Sequence, residues 1–366
     1  MRDKLTHGHA SLKEVFGSPL YGIKTGLNEA FVIDRATRDR LVFADPESAP
    51  LFKPFLEGKD IKRWQVESED RWLILLPKGW TKSTMNMPVA VVNNASIATN
   101  YIAEETAFTW LQTRHPHLAA YLAPFADAAR KRTDKGEYWW ELRACAYYEA
   151  FDKPKIFYPV ISQGSKFLFD TDSFISNDKG FIIPTENASS VAILNSKAIW
   201  FVIQGICSPL RGGIWRYELR GQNIETLPIP TATNAQQSEL THLATACAQA
   251  AKERLAVQRR VGRRILELLP VPAPKGAQAN LGDKLGSWWL LDDFKAFHFE
   301  VQKRFKTEIP LRERNDWEQL FNEEKTLILQ LSANLAATER SIDDIVYNLF
   351  KLNAAEIALI ERAVKR

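Results

Sequence analysis

Short apolar runs punctuated by turn residues fill the first two thirds of the chain. Phe31-Val32-Ile33, Leu41-Val42-Phe43, Trp72-Leu73-Ile74-Leu75-Leu76, Ile156-Phe157-Tyr158-Pro159-Val160-Ile161 and Gly180-Phe181-Ile182-Ile183-Pro184 are rich in β-branched and aromatic side chains, with Gly, Pro or Asp bounding them. That combination predicts strands. The stretches Ala98–Gln112 and Ala188–Gln204 between them read as helices. The fold class expected is α+β, a mixed α/β domain with a largely antiparallel sheet.

The period changes after Pro228-Ile229-Pro230, because proline continues neither a ladder nor a helix. Leu240, Leu243, Ala244, Cys247, Ala251 and Leu255 then recur at helical spacing, in a run from Gln236 to Leu269. Pro270-Val271-Pro272-Ala273-Pro274-Lys275-Gly276 breaks that helix with a stiff, exposed loop. Helical patterns resume from Leu290, and Asn353 with Glu356 makes a capping box that starts the last helix. Two domains are expected: residues 1–232, mixed, and residues 233–366, mainly helical.

Composition narrows the class without naming a partner. The 366 residues are 45% hydrophobic and 25% charged, ordinary for a globular chain that buries its own core. A formal charge of +4 permits a polyanion partner but does not demand one. Cys145, Cys207 and Cys247 are scattered and form no CxxC pair, which suits buried thiols in a reducing, cytoplasmic compartment. No apolar run approaches the ~18–20 residues of a membrane helix. Met1 to Lys13 is polar and lacks a signal-peptide core.

Two segments carry the most information. Tyr21-Gly22-Ile23-Lys24-Thr25-Gly26-Leu27-Asn28-Glu29-Ala30-Phe31-Val32-Ile33-Asp34 is a glycine-punctuated turn entering an apolar strand, and Phe55-Leu56-Glu57-Gly58-Lys59-Asp60-Ile61-Lys62-Arg63-Trp64 is a basic turn capped by an aromatic. Trp139-Trp140-Glu141-Leu142-Arg143, Lys153-Pro154-Lys155-Ile156-Phe157-Tyr158-Pro159, Ala192-Ile193-Leu194-Asn195-Ser196-Lys197, Arg211-Gly212-Gly213 and Ile224-Glu225-Thr226-Leu227-Pro228-Ile229-Pro230 follow in order. The succession resembles the target recognition (specificity) domain of TaqI-like and Eco57I-like (type IIG) adenine-specific DNA methyltransferases and restriction-modification enzymes. Ser341-Ile342-Asp343-Asp344-Ile345-Val346-Tyr347, with Asn353-Ala354-Ala355-Glu356-Ile357, resembles the tail of the larger type IIG proteins.

The resemblance implies a domain that chooses the double-stranded DNA sequence, while a methyltransferase domain or subunit flips and methylates an adenine. S-adenosylmethionine is implied for the whole enzyme and not for this chain. The chain is then a fragment of a longer protein or a separate specificity subunit.

The chemistry itself is not legible in this sequence. An amino-methyltransferase needs a glycine-rich cofactor turn and an Asn/Asp/Ser-Pro-Pro-aromatic loop that holds the flipped base. Ser18-Pro19-Leu20-Tyr21 lacks the second proline that shapes such a loop. Gly22-Ile23-Lys24-Thr25-Gly26 lacks the Walker order of a phosphate loop. Asp45 with Glu57 and Asp60, followed by Lys59 and Lys62, imitates the metal-nuclease spacing, which keeps a stand-alone metal-dependent nuclease as an alternative. A protein-interaction scaffold that never meets DNA is the other alternative. His7-Gly8-His9 and His115-Pro116-His117 have no ligand at zinc spacing beside them and read as surface histidines.

DNA binding requires cations for phosphates and forked side chains for base edges. Lys24 and Thr25 lie in the first glycine turn, Lys59, Lys62 and Arg63 in the second, and Lys82 with Ser83 after Gly79-Trp80. Arg211 and Arg216 flank Gly212-Gly213-Ile214-Trp215, and Arg suits guanine through its bidentate fork. Arg143 alternates with Glu141, so the two either read bases or pair with each other. Lys252, Arg254, Arg259, Arg260, Arg263 and Arg264 form a basic run on a helix and cover more than one of its faces. Each lysine in a turn is otherwise a plain solvated charge.

Overall fold

The structure is a computed structural model and describes residues 2–85, 102–210 and 215–364. The chain divides into two compact units. The first holds the residues up to Thr231 together with the segment from Leu352 onward, and the second holds Ala232–Lys351. The fold class is α+β, with small sheets in the first unit and long helices in the second.

Among the described residues, four sheets build the first unit. One runs Leu20–Tyr21, Gly180–Pro184, Lys155–Pro159, Leu168–Asp170, antiparallel throughout. The strand Lys155–Pro159 is buried along its whole length, which explains its unbroken apolar run. Its one charge, Lys155, lies opposite Asp170 in register, and the two buried groups pair at 2.6 Å. A second sheet runs Val32–Asp34, Arg71–Ile74, Phe52–Leu56, Ile175–Ser176, its last pairing parallel. A third joins Ser208–Leu210, Arg216–Glu218 and Ile161–Ser162, and a fourth pairs Ala10–Ser11 with Pro228–Ile229.

Several sequence expectations change. Leu41-Val42-Phe43 is not a strand but the end of the helix Arg35–Ala44. Asp34 caps that helix by accepting from the Thr37 N–H at 2.7 Å, and only Leu41 is buried while Phe43 stays 90% exposed. The expected helix Ala188–Gln204 is two, Ser189–Asn195 and Lys197–Ile206, because Ser196 turns out of helical geometry and caps the second by accepting from Ile199 N–H at 3.3 Å. The expected helix Ala98–Gln112 is Glu104–Arg114 within the described residues. Among the described residues no single helix is long and apolar enough to cross a membrane.

The second unit is organised by two long helices, Asn234–Glu267 and Arg314–Leu349, packed along each other. Leu240, Ala244, Cys247, Ala251 and Leu255 are buried at three- and four-residue intervals, and Phe321, Ile328, Leu335 and Ile342 at intervals of seven. That is a coiled-coil seam. Arg254 reaches Ser332 and Arg260 reaches Glu324, so the helices run antiparallel. Val257, Val261 and Ile265 continue the core against Trp288, Phe297 and Phe305. Thr233 and Gln236 close the start of the first helix as a capping box.

The last helix, Ala354–Val364, belongs to the first unit and not, as expected, with the helices before it. It packs on Lys197–Ile206, with Lys197 Nζ 2.8 Å from Glu361, and Lys4 Nζ is 2.9 Å from Glu356. The Asn353–Glu356 capping box forms as the sequence indicates.

Candidate nucleic-acid interface

The two glycine turns, some 35 residues apart in sequence, close on one short turn at Asn177-Asp178-Lys179. Gly22 lies so near that a Cβ there would sit 1.9 Å from the Asn177 carbonyl oxygen. A Cβ on Gly58 would sit 2.3 Å from the Lys179 carbonyl oxygen. Only glycine allows either approach. Hydrogen bonds fix the arrangement: Gly22 N–H donates to Gly180 O at 3.0 Å, Ile23 N–H to Ser176 O at 2.7 Å, and Asn177 N–H to Leu56 O at 2.9 Å.

Three cations gather at this junction, with side chains 51% (Lys24), 60% (Lys59) and 66% (Lys179) exposed. Asp178 serves Lys24 at 3.8 Å and Lys179 at 3.5 Å, and Glu57 holds Lys59 at 3.0 Å. The Glu57 hydrogen bond also raises the Lys59 pKa, keeping the ammonium charged. Exposed pairs of this kind are worth about 0–1 kcal/mol, so a phosphate can take the place of the carboxylate.

The three-stranded sheet that holds Arg216–Glu218 as its middle strand adjoins the junction through Val160. The Val160 N–H donates to Lys179 O at 2.9 Å, and Val160 O accepts from Leu219 N–H at 2.7 Å. The strand Arg216–Glu218 runs into Leu219 and pairs with Ile161–Ser162. Arg216 is exposed and, among the described residues, makes no ion pair. Trp215 beside it is 65% exposed. Arg220 pairs with Glu218 at 2.9 Å and remains 58% exposed. Arg211 lies outside the described residues.

The other sequence candidates separate by burial. Lys62 pairs with Glu67 at 3.4 Å. Nearby Lys166 is half-buried, and its pKa is lowered by burial and then by the Lys62 charge. Arg63 turns inward and donates to the Asn195 carbonyl at 2.7 Å. Thr25 is buried; its hydroxyl donates to Asn28 Oδ1 at 2.5 Å and accepts from Leu27 N–H at 3.2 Å, so it holds the turn and offers nothing to a phosphate. Lys82 pairs with Glu137 at 2.6 Å and Arg143 with Asp134 at 3.2 Å, on one loop. Glu141 neither reads a base nor pairs with Arg143. It is buried and accepts from the N–H groups of Gly79, Thr81 and Glu137 at 3.1, 3.0 and 2.9 Å.

That loop is bound to the first glycine turn by Arg132, which sequence reasoning missed. Its buried guanidinium donates to the carbonyls of Thr25, Trp139 (2.6 Å) and Glu141 (2.9 Å), and lies over the Phe31 ring. Burial lowers its pKa to about 10. Lys179 and Arg220 were also missed. Asn177-Asp178-Lys179-Gly180 gives only a turn signal, and its meeting with Gly22 and Gly58 is non-local.

The metal-nuclease spacing does not assemble. Asp45 is bound to His115 Nδ1 at 2.7 Å, and His115 is buried and not at the surface. Asp60 accepts from the Glu57 N–H at 2.7 Å and pairs with Arg71, which also lies 3.6 Å from Glu57. Among the described residues no His, Cys, Asp and Glu group has the arrangement of a metal site.

A model of the TaqI-like C-terminal specificity domain family matches residues 53–229. This stretch is a TaqI-like specificity domain. The specificity domain contains Lys59, Lys62, Arg63, Lys82, Arg143, Lys179 and Arg216, while Lys24 and Thr25 precede the matched stretch. Residues 233–346 match a domain of unknown function, DUF8810. The search of curated proteins matched none. Among solved structures, the type IIL restriction-modification enzyme MmeI in complex with DNA aligns at 13% identity with a TM-score of 0.43. The alignment covers 95% of this chain and 35% of that one, a likeness too loose to transfer fold or chemistry.

Proposed function

We propose that this chain is the DNA-recognition part of a restriction-modification enzyme and grips duplex DNA with the junction of the two glycine turns. The carrying observation is the convergence of Lys24, Lys59 and Lys179 on the Asn177–Lys179 turn, beside the exposed Trp215 and Arg216. A lysine on a tight turn is a point charge that meets any phosphate. An exposed guanidinium at the end of a hairpin strand enters a groove and matches two acceptors of one guanine. The junction thus positions the duplex, and the hairpin reads it.

The partner in this reading is a methyltransferase domain or subunit of the N6-adenine, type IIG kind, which supplies S-adenosylmethionine and the chemistry. The glycine turn Gly22–Gly26 is the one stretch that could have cradled the cofactor by its glycine spacing. Gly22 is filled by Asn177, and a Cβ on Gly26 would meet Arg132 at 3.2 Å and Asp134 at 3.3 Å, which leaves no cradle in that turn.

The test is a salt titration of duplex binding. Each phosphate contact adds about 0.9 to the log–log slope. The triple variant Lys24→Ala, Lys59→Ala, Lys179→Ala is expected to lower the slope by about 2–3 on any sequence. A parent chain whose binding ignores salt would sink the reading.

A further inference from the structure

Tyr21 is an aromatic left in water at the edge of the junction. It directly precedes Gly22 and is 56% exposed. Packing nevertheless fixes its ring. In the antiparallel register Tyr21 lies opposite Phe181, and Phe181 lies opposite Tyr158, so the three rings form a row across one face of the sheet. The Tyr21 and Phe181 ring centroids are 4.3 Å apart, and Phe181 stacks on Tyr158 at 5.1 Å with 5° between the planes. Tyr158 in turn meets Phe167 at 5.5 Å. Phe181, Tyr158 and Phe167 are buried, so Tyr21 is the wet end of a rigid row. Among the described residues its hydroxyl makes no hydrogen bond.

Charge adjoins the same row. Lys24 follows in the turn that Tyr21 enters, and Lys179 stands two residues before Phe181. Gly221 packs on Phe181, where a Cβ would come 3.1 Å from Cε1, and so brings Arg220 beside the rings. Two carboxylates lie among these cations: Asp178 serves both lysines, and Glu218 pairs with Arg220 at 2.9 Å. All three cations stay exposed in those pairs. A nucleotide matches both features, with a flat π face for the ring and a phosphate for the cations.

We infer that the outer face of Tyr21 is a stacking platform for one unpaired DNA base. In a continuous duplex each base is held in the stack, so the ring reaches a base face only where pairing is interrupted. Every base has a π face, so the platform accepts any of them. The inference rests on the DNA reading of the same junction and adds a preference to it: duplex with an unpaired base binds more tightly than continuous duplex.

The experiment titrates the full chain into two duplexes carrying 2-aminopurine, a fluorescent base that dims when stacked. In one duplex it is paired, and in the other it is a single-nucleotide bulge. The bulged duplex is expected to bind roughly 5–150-fold more tightly, the worth of one base–aromatic stack, and its fluorescence to fall on binding. Tyr21→Phe keeps the ring and is expected to keep both effects. Tyr21→Leu removes the π face and is expected to bring the two affinities together and to abolish the quenching. A 5-iodouracil bulge, photo-crosslinked to the parent chain and mapped by mass spectrometry, is expected to attach at Tyr21, a readout that does not depend on how the leucine variant folds. Equal affinities and unchanged fluorescence with the parent chain overturn the platform, while salt-dependent binding of both duplexes leaves the DNA reading standing. Attachment to another ring, such as the exposed Trp215, also overturns it. Binding of neither duplex removes both readings.

Discussion

At the scale of single residues, the junction depends on atoms that are not there. Gly58 is ordinary in sequence, yet the carbonyl of Lys179 occupies the space a Cβ would take, 2.3 Å away. The obstacle is backbone, which cannot swing aside as a flexible side chain would. Gly58→Ala is therefore expected to cost about 1–3 kcal/mol, as overpacking does. Urea unfolding of the two proteins measures it, and equal midpoints would show that the turns do not touch as described. Arg132 is the converse, a cation placed by carbonyls rather than by acids, and its role is to tie the Thr25 turn to the Trp139–Glu141 loop. Charge alone is a poor guide here. Lys59 and Arg63 are four residues apart, but one faces water and the other is spent on the Asn195 carbonyl.

At the scale of elements, local chemistry wrote some parts of the fold plainly. The buried strands Lys155–Pro159 and Gly180–Pro184 are continuous apolar runs, and the capping boxes at Thr233 and Asn353 mark helix starts by side-chain spacing. Leu41-Val42-Phe43 misled because three apolar residues in a row fit strand or helix, and the decision came from Asp34, seven positions earlier. The seam between the long helices makes an expectation of its own. Ile328 is 1% exposed in the middle of the seven-residue pattern. Ile328→Ala is expected to destabilise the protein by about 2–5 kcal/mol through the cavity it leaves. Thermal unfolding tests this, and a shift no larger than that of an exposed-site alanine such as Thr326→Ala would place the seam elsewhere.

At the scale of the whole molecule, the sequence order of motifs pointed to the family, and the family model over residues 53–229 agrees with it. The candidate site was legible only in part. Lys24, Lys59 and Arg216 were found because glycines and arginine stand out locally, whereas their neighbour Lys179 and the anchor Arg132 enter through contacts more than a hundred residues apart in sequence. Likewise Thr25 and Arg63 share the motifs but face inward, which burial decides and spacing does not. In the proposed function the molecule distinguishes DNA sequences with the exposed Arg216 of its hairpin. The most direct test of that claim is selection of bound duplexes from a randomised pool by the parent chain and by Arg216→Ala, read by sequencing. The expected result is one enriched motif for the parent, with a single base pair relaxed by about 1–3 kcal/mol in the variant. A parent pool that stays indistinguishable from the input would contradict the claim.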